Sequence, residues 1–280
     1  MRRSAAVFTA LVLLLTAAVA APFFVGADPD LLMIVVPLGM FAPFVAALAT
    51  WMLVAGRRPA FGEAFATRRF GPGLLLALVV FVAIAALQPV IGTALGIAEW
   101  RSPADPVGVG LALVAQFAIM LVASIGEELG WRGWLFTLLR PRGFWFTALV
   151  TTAIWTVWHL PIVAINVVQG FDSIGGAALA LASVAAVGPL FAALRERSGS
   201  VWPAVLAHAL MNSLLLAVDE HLVAPVEGAA RLAWLAIVWL LALAAAFALV
   251  GARRRPAGSF SASRTSDGLQ RVRITAVEQG

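Results

Sequence analysis

Six side chains are chemically out of place in this sequence: Glu127, Glu128 and Arg132 in "GEELGWRG", His159 in "WTVWHLP", and His208 with Asn212 in "HALMN". Each group interrupts a long apolar run. A charge at the centre of a membrane-spanning helix costs about 2.5–3.5 kcal/mol on insertion scales, so residues kept there are read as functional by default. Glu128 and Arg132 are four positions apart, on one helix face, and can pair with each other, which lowers the cost of burying both. Glu127 lies about 100° around the helix from Glu128 and has no cation within reach on its own helix, so it can address a neighbouring one. Trp155 and His159 share a face by the same spacing, and Pro161 just beyond them disturbs the helix and frees backbone carbonyls. His208 and Asn212 are again one turn apart on a common face.

These residue types suit peptide hydrolysis. A carboxylate beside an imidazole in a dry pocket can take a proton from water as general base and return it to the leaving amine. A second imidazole and an amide can donate to the developing oxyanion, where one such donor is commonly worth about 2.7–4 kcal/mol. Alternatively, Glu127, His159 and His208 could hold a divalent metal such as zinc that activates the water. The HExxH spacing is absent, and with no Cys in the chain thiolate metal sites and disulfides are excluded. Plainer readings stand beside these. Glu128 with Arg132 reads first as a structural pair that orients the site, and His159 or His208 with Asn212 could be interhelical hydrogen-bonding residues. His221, beside Asp219 and Glu220, reads as solvated. From other functional classes come a proton-coupled transporter using Glu127, His159 and His208 as a relay, and a non-catalytic immunity or scaffold protein that binds a membrane partner.

The elements that must position these groups are transmembrane helices. The chain has 280 residues, of which 62% are hydrophobic and 12% charged, far from the composition of a soluble domain. Apolar runs at about 5–25, 31–55, 73–97, 107–139, 144–168, 174–194, 200–218 and 230–251 each match or approach the roughly 20 residues needed to cross a bilayer. The fold class is therefore all-α: a polytopic transmembrane bundle of about eight spans. Residues 1–252 form the helical domain, with the motifs in 107–218, and 253–280 read as a disordered cytoplasmic tail. All nineteen basic residues are Arg; sixteen fall in alternate loops and the termini, two (Arg101 and Arg231) on the other side, and Arg132 within the membrane. By the positive-inside rule the protein is a multi-pass cell-membrane protein with both termini cytoplasmic. Scattered Arg without a basic face gives no footprint for nucleic acid. The first span also resembles a cleavable signal peptide, with "AVA" at 18–20. At about 1.5 Å per residue, Glu127 lies about 20 Å from Arg140, and His159 and His208 about 24 and 15 Å into their spans. The three helices can bring their polar groups to one level.

On these three motifs the chain resembles the CPBP family of intramembrane proteases, also called Abi or CAAX-protease-like, to which the type II prenyl-protein CAAX protease belongs. The family pattern is EExxxR, then an aromatic residue four before a His, then HxxxN or HxxxD, each on its own helix. Here it is met by Glu127, Glu128 and Arg132, by Trp155 and His159, and by His208 with Asn212. The resemblance implies a membrane endopeptidase acting on a membrane-associated peptide or protein, in which Glu127 and His159 activate water. His208 and Asn212 would stabilise the oxyanion or help bind a metal, while Glu128, Arg132 and Trp155 orient the site. The family is often labelled metalloprotease, and a metal-free glutamate mechanism is also discussed for it. Trp155 departs from the pattern, since Phe is common there.

Overall fold

The computed structural model describes residues 2–54, 61–65 and 67–251; the tail expected to be disordered lies outside them. α1 (Arg2–Ala20) is followed by a broken span, α2 (Leu32–Gly39) and α3 (Ala42–Leu53), then by the short α4 (Phe61–Ala64) and by α5 (Phe70–Ala94). α6 (Pro106–Glu128) continues through a π-helical stretch, Leu129–Leu135, into α7 (Phe136–Leu139), so one apolar rod runs from Pro106 to Arg142. α8 (Phe144–Trp158) and α9 (Leu160–Val168) form one span broken at His159. α10 (Ile174–Ser198), α11 (Trp202–Leu210), which also continues through π-helical turns, and α12 (Gly228–Gly251) complete the bundle.

Seven of these helical stretches are long and apolar enough to cross a membrane, and counting the α2–α3 pair as one bent span gives eight. The all-α, multi-span architecture read from the sequence is the one observed. Local chemistry explains the boundaries. Asp105 caps α6 by accepting from the Gly108 amide, with Pro106 in the first turn. Ser173 caps α10 by the same means, and α10 ends at Gly199, whose φ of +68° suits glycine. The second span bends by 45° because Pro37 lies inside α2 and Pro43 opens α3, each lacking an amide proton.

α10 occupies the centre of the bundle and packs on α5, α8, α11 and α12. The core joins Phe8, Phe81, Trp131, Trp155, Leu190, Phe191 and Leu194. Outward-facing residues are apolar as well: Met33 is 83% exposed and Leu111 and Leu240 68% each, a surface that only lipid tails can cover at no cost. Several hydroxyls within spans are satisfied inside their own helices: Thr50, Thr151, Ser198 and Ser213 each donate to the carbonyl four residues back, which spares those atoms exposure to lipid.

Close backbone approach sets where α6 meets the bent span. Gly126 and Gly130, four apart, face the Met40–Pro43 bend. A Cβ on Gly126 would lie 2.6 Å from the Phe41 Cα, and one on Gly130 would strike Pro43. This small-xxx-small contact fixes the height and rotation of the helix segment that carries Glu127 and Glu128.

Candidate active site

The two adjacent carboxylates meet different partners. Glu128 is fully buried, and its Oε1 accepts from Arg132 Nη1 at 2.8 Å and from His208 Nδ1 at 2.9 Å. The intrahelical pair read from the four-residue spacing is thus formed, and it is extended to α11. The Arg132 guanidinium lies 4.3 Å from the Trp155 ring centroid and 4.9 Å from that of Phe191, so aromatic faces share in balancing its charge. Glu127, one position earlier and about 100° around, points to α8, where its Oε2 accepts from Trp155 Nε1 at 2.6 Å. The residue that differs from the usual Phe therefore supplies an N–H that Phe lacks.

His159 stands at the break between α8 and α9. Its backbone amide bonds to Thr156 rather than to the carbonyl four residues back, and Pro161 has no amide proton to give. The Trp155 carbonyl, released from the regular helix ladder, takes the imidazole instead, 2.8 Å from Nδ1. A carbonyl can only accept, so Nδ1 carries the proton and a neutral His159 presents the lone pair of Nε2. The same logic applies to His208, whose Nδ1 donates to Glu128 and whose Nε2 is the remaining nitrogen. The Trp155 ring separates and aligns the two imidazoles, edge to face with His159 at 5.2 Å and with His208 at 5.4 Å.

Glu127, His159, His208 and Asn212 all line one cavity of about 350 Å³. Three motifs separated by up to 85 residues along the chain are thus brought to a single space. Apart from Thr16, its other walls are largely apolar, including Val35, Met40, Met120 and Ile162. Asn212, in the π-helical turn after α11, makes a long contact of 3.8 Å from Nδ2 to the Met120 sulfur, so its amide can be given up to a stronger acceptor. Glu128, Arg132 and Trp155 stand behind this wall and hold its members. His221 lies apart, half-exposed and 3.8 Å from Glu220.

Several features were not legible in the motifs. The Glu128–His208 bond, the use of the Trp155 indole as a donor, and the contribution of α1 and α2 to the cavity wall all depend on packing between helices. The only hint was the indole itself, a buried N–H that must find a partner. Among the described residues no group of three or more His, Asp or Glu side chains is placed to hold a metal ion; Glu127, His159 and His208 each use one atom on Trp155 or Glu128 and keep another, Oε1, Nε2 and Nε2 respectively, uncommitted.

Comparison with known proteins bears on the same stretch. Residues 109–214 match the family model described as type II CAAX prenyl endopeptidase Rce1-like. A protein named CAAX prenyl protease 2 from Methanococcus maripaludis is 41% identical over 49 residues, which are 17% of this chain and 18% of that protein. The match thus spans less than a fifth of that relative's length. Glu127, His159, His208 and Asn212, gathered on one cavity, all fall inside residues 109–214, the stretch that is similar to the Rce1-like family model.

Proposed function

We propose that the protein is an intramembrane endopeptidase that cleaves a membrane-associated or C-terminal peptide with a water activated by Glu127 and His159. The observation that carries this reading is the convergence of Glu127, His159, His208 and Asn212 on one apolar cavity within the bundle. The name of the Methanococcus relative supports a substrate of the CAAX type. The cavity's apolar walls suit a hydrophobic or lipid-modified portion of it.

The side chains divide the work as follows. Trp155 holds Oε2 of Glu127, leaving Oε1 for the water. His159 Nε2 accepts a hydrogen bond from one water O–H, which stays intact, while Glu127 takes the other hydrogen as a proton as the water oxygen bonds to the scissile carbonyl carbon and the π pair moves onto the carbonyl oxygen. Asn212 donates its amide N–H to that oxyanion, and His208 donates from Nε2 when it carries both protons, with Glu128 balancing its charge. Glu127 then returns the proton to the amine as the C–N bond breaks. These steps use the chain's own side chains and require no metal.

A comparison of membrane peptides in cells carrying wild type or Glu127→Ala tests the reading: cleaved fragments disappear and intact precursors accumulate in the variant. Identical peptide profiles would contradict it. Cleavage by the purified protein is expected to survive exhaustive chelation, and loss restored by added zinc would replace this mechanism with a metal-dependent one. A proton-coupled carrier, by contrast, would show flux in sealed vesicles that Glu127→Ala abolishes.

A further inference from the structure

A second cavity, of about 870 Å³, lies at the end of the bundle that the Arg distribution assigns to the cytoplasm, and it is lined by Arg68, Arg69, Arg140, Arg195 and Arg197 against the single carboxylate of Glu63. The positive-inside rule accounts for Arg in these loops, but it asks only for position along the chain and not for convergence on a concave surface. Here the loops are fastened to each other. An isolated antiparallel bridge joins Thr67 to Ser200, and Gly199 turns with a φ of +68° so closely against Arg68 that a Cβ there would lie 3.3 Å from the Arg68 Cβ.

The charges in this cavity are poorly compensated by the protein. Arg140 is paired, with Nε 3.0 Å from Glu196 Oε2. Arg195 is only 5% exposed, yet its hydrogen bonds run to neutral carbonyls, from Nε to Arg132 at 3.0 Å and from Nη2 to Glu63 at 2.9 Å. The side chains of Arg68, Arg69 and Arg197 make no ion pair or hydrogen bond among the described residues. A buried guanidinium held by carbonyls, beside three cations with no carboxylate partner, leaves a site short of negative charge. Guanidinium groups match phosphate oxygens in charge and in fork geometry, and the cavity is lined by residues at the ends of spans and in the loops between them, where a spanning chain meets lipid headgroups.

We propose that this cavity binds a phosphate group, supplied by an anionic phospholipid headgroup or by a free phosphate. The site is separate from the peptidase cavity and does not depend on the proposed activity. Full-length protein in neutral detergent is titrated with short-chain phosphatidylglycerol, with phosphatidylcholine of the same chain length, and with inorganic phosphate. Phosphatidylglycerol is expected to bind one per chain and phosphatidylcholine much more weakly. Arg68→Gln/Arg69→Gln/Arg197→Gln should weaken the anionic lipid about 100-fold, at about fivefold per cation. Arg101→Gln, at the other end of the bundle, should leave it unchanged. Displacement of the lipid by millimolar inorganic phosphate would show that the phosphate alone suffices; failure of phosphate to compete would assign the site to the lipid. Equal binding of the two lipids, or equal affinity in wild type and triple variant, would overturn the proposal. These arginines are exposed or half-buried, and an unchanged unfolding midpoint without lipid confirms that the variant is folded. Should the triple variant unfold, Arg68→Gln/Arg69→Gln carries the same comparison.

Discussion

At the scale of single residues, Glu127 and Glu128 differ in what their removal leaves behind. Glu128→Ala strips a buried carboxylate from both Arg132 and His208, leaving the Arg132 guanidinium without its paired carboxylate and the His208 N–H without its acceptor in a dry core. Breaking such a pair from one side costs about 3–5 kcal/mol. Glu127→Ala leaves only the Trp155 N–H without its acceptor, a penalty of about 1–3 kcal/mol offset by no longer burying a carboxylate. Unfolding in detergent should therefore show a large loss of midpoint for Glu128→Ala and a small one for Glu127→Ala, while activity falls in both. Equal stability of the two variants would contradict this division of roles. Trp155→Phe keeps the ring beneath Arg132 but removes the N–H. With the Glu127 carboxylate less firmly aimed, kcat is expected to fall about tenfold, in line with loss of one charge-assisted hydrogen bond of about 1.5–3 kcal/mol, with KM little changed. A drop in KM affinity alone would mean that Trp155 serves the substrate and not the base.

The helices explain why these residues meet. Periodicity and spacing were enough to read the Glu128–Arg132 pair, the one-turn separation of His208 and Asn212, and the disturbance near Pro161, because all three are local to one helix. The partner that each side chain chooses across helices was not readable, since rotation about a helix axis is set by packing. That rotation depends here on Gly126 and Gly130, whose lack of a side chain admits the Met40–Pro43 bend. The π-helical stretches at Leu129–Leu135 and Met211–Leu215, features common at functional sites, likewise leave no mark in hydrophobic patterning. Gly126→Ala is expected to push α6 from the bent span and cost about 1–3 kcal/mol as overpacking. Gly110→Ala on the same helix, where a Cβ meets nothing within 4 Å, should be neutral or slightly stabilising. Equal unfolding midpoints for the two would show that the close contact is not what holds α6.

For the whole molecule, composition alone was sufficient to read an all-α membrane bundle, because few other structures satisfy backbone polar groups in lipid. The number of spans followed from run lengths, and only the bend in the second span escaped, since it depends on how two prolines are accommodated. Sidedness rests on sixteen Arg against two. Reporter fusions at each end should place both termini in the cytoplasm, and a reporter on the opposite side at either end would reverse the assignment. The α1 helix, with Phe8 and Val12 fully buried and Thr16 on the cavity wall, belongs to the folded bundle. The central claim is that this bundle carries a water-activating carboxylate in a cavity open to an apolar peptide. Its most direct test is cleavage of a membrane-embedded peptide pool by purified protein reconstituted in liposomes, wild type against Glu127→Gln, which keeps size and hydrogen bonding but loses the base. The account predicts turnover in the wild type and a loss of at least about 100-fold in the variant, within the range attributed to general acid–base catalysis. Full activity in Glu127→Gln would contradict it.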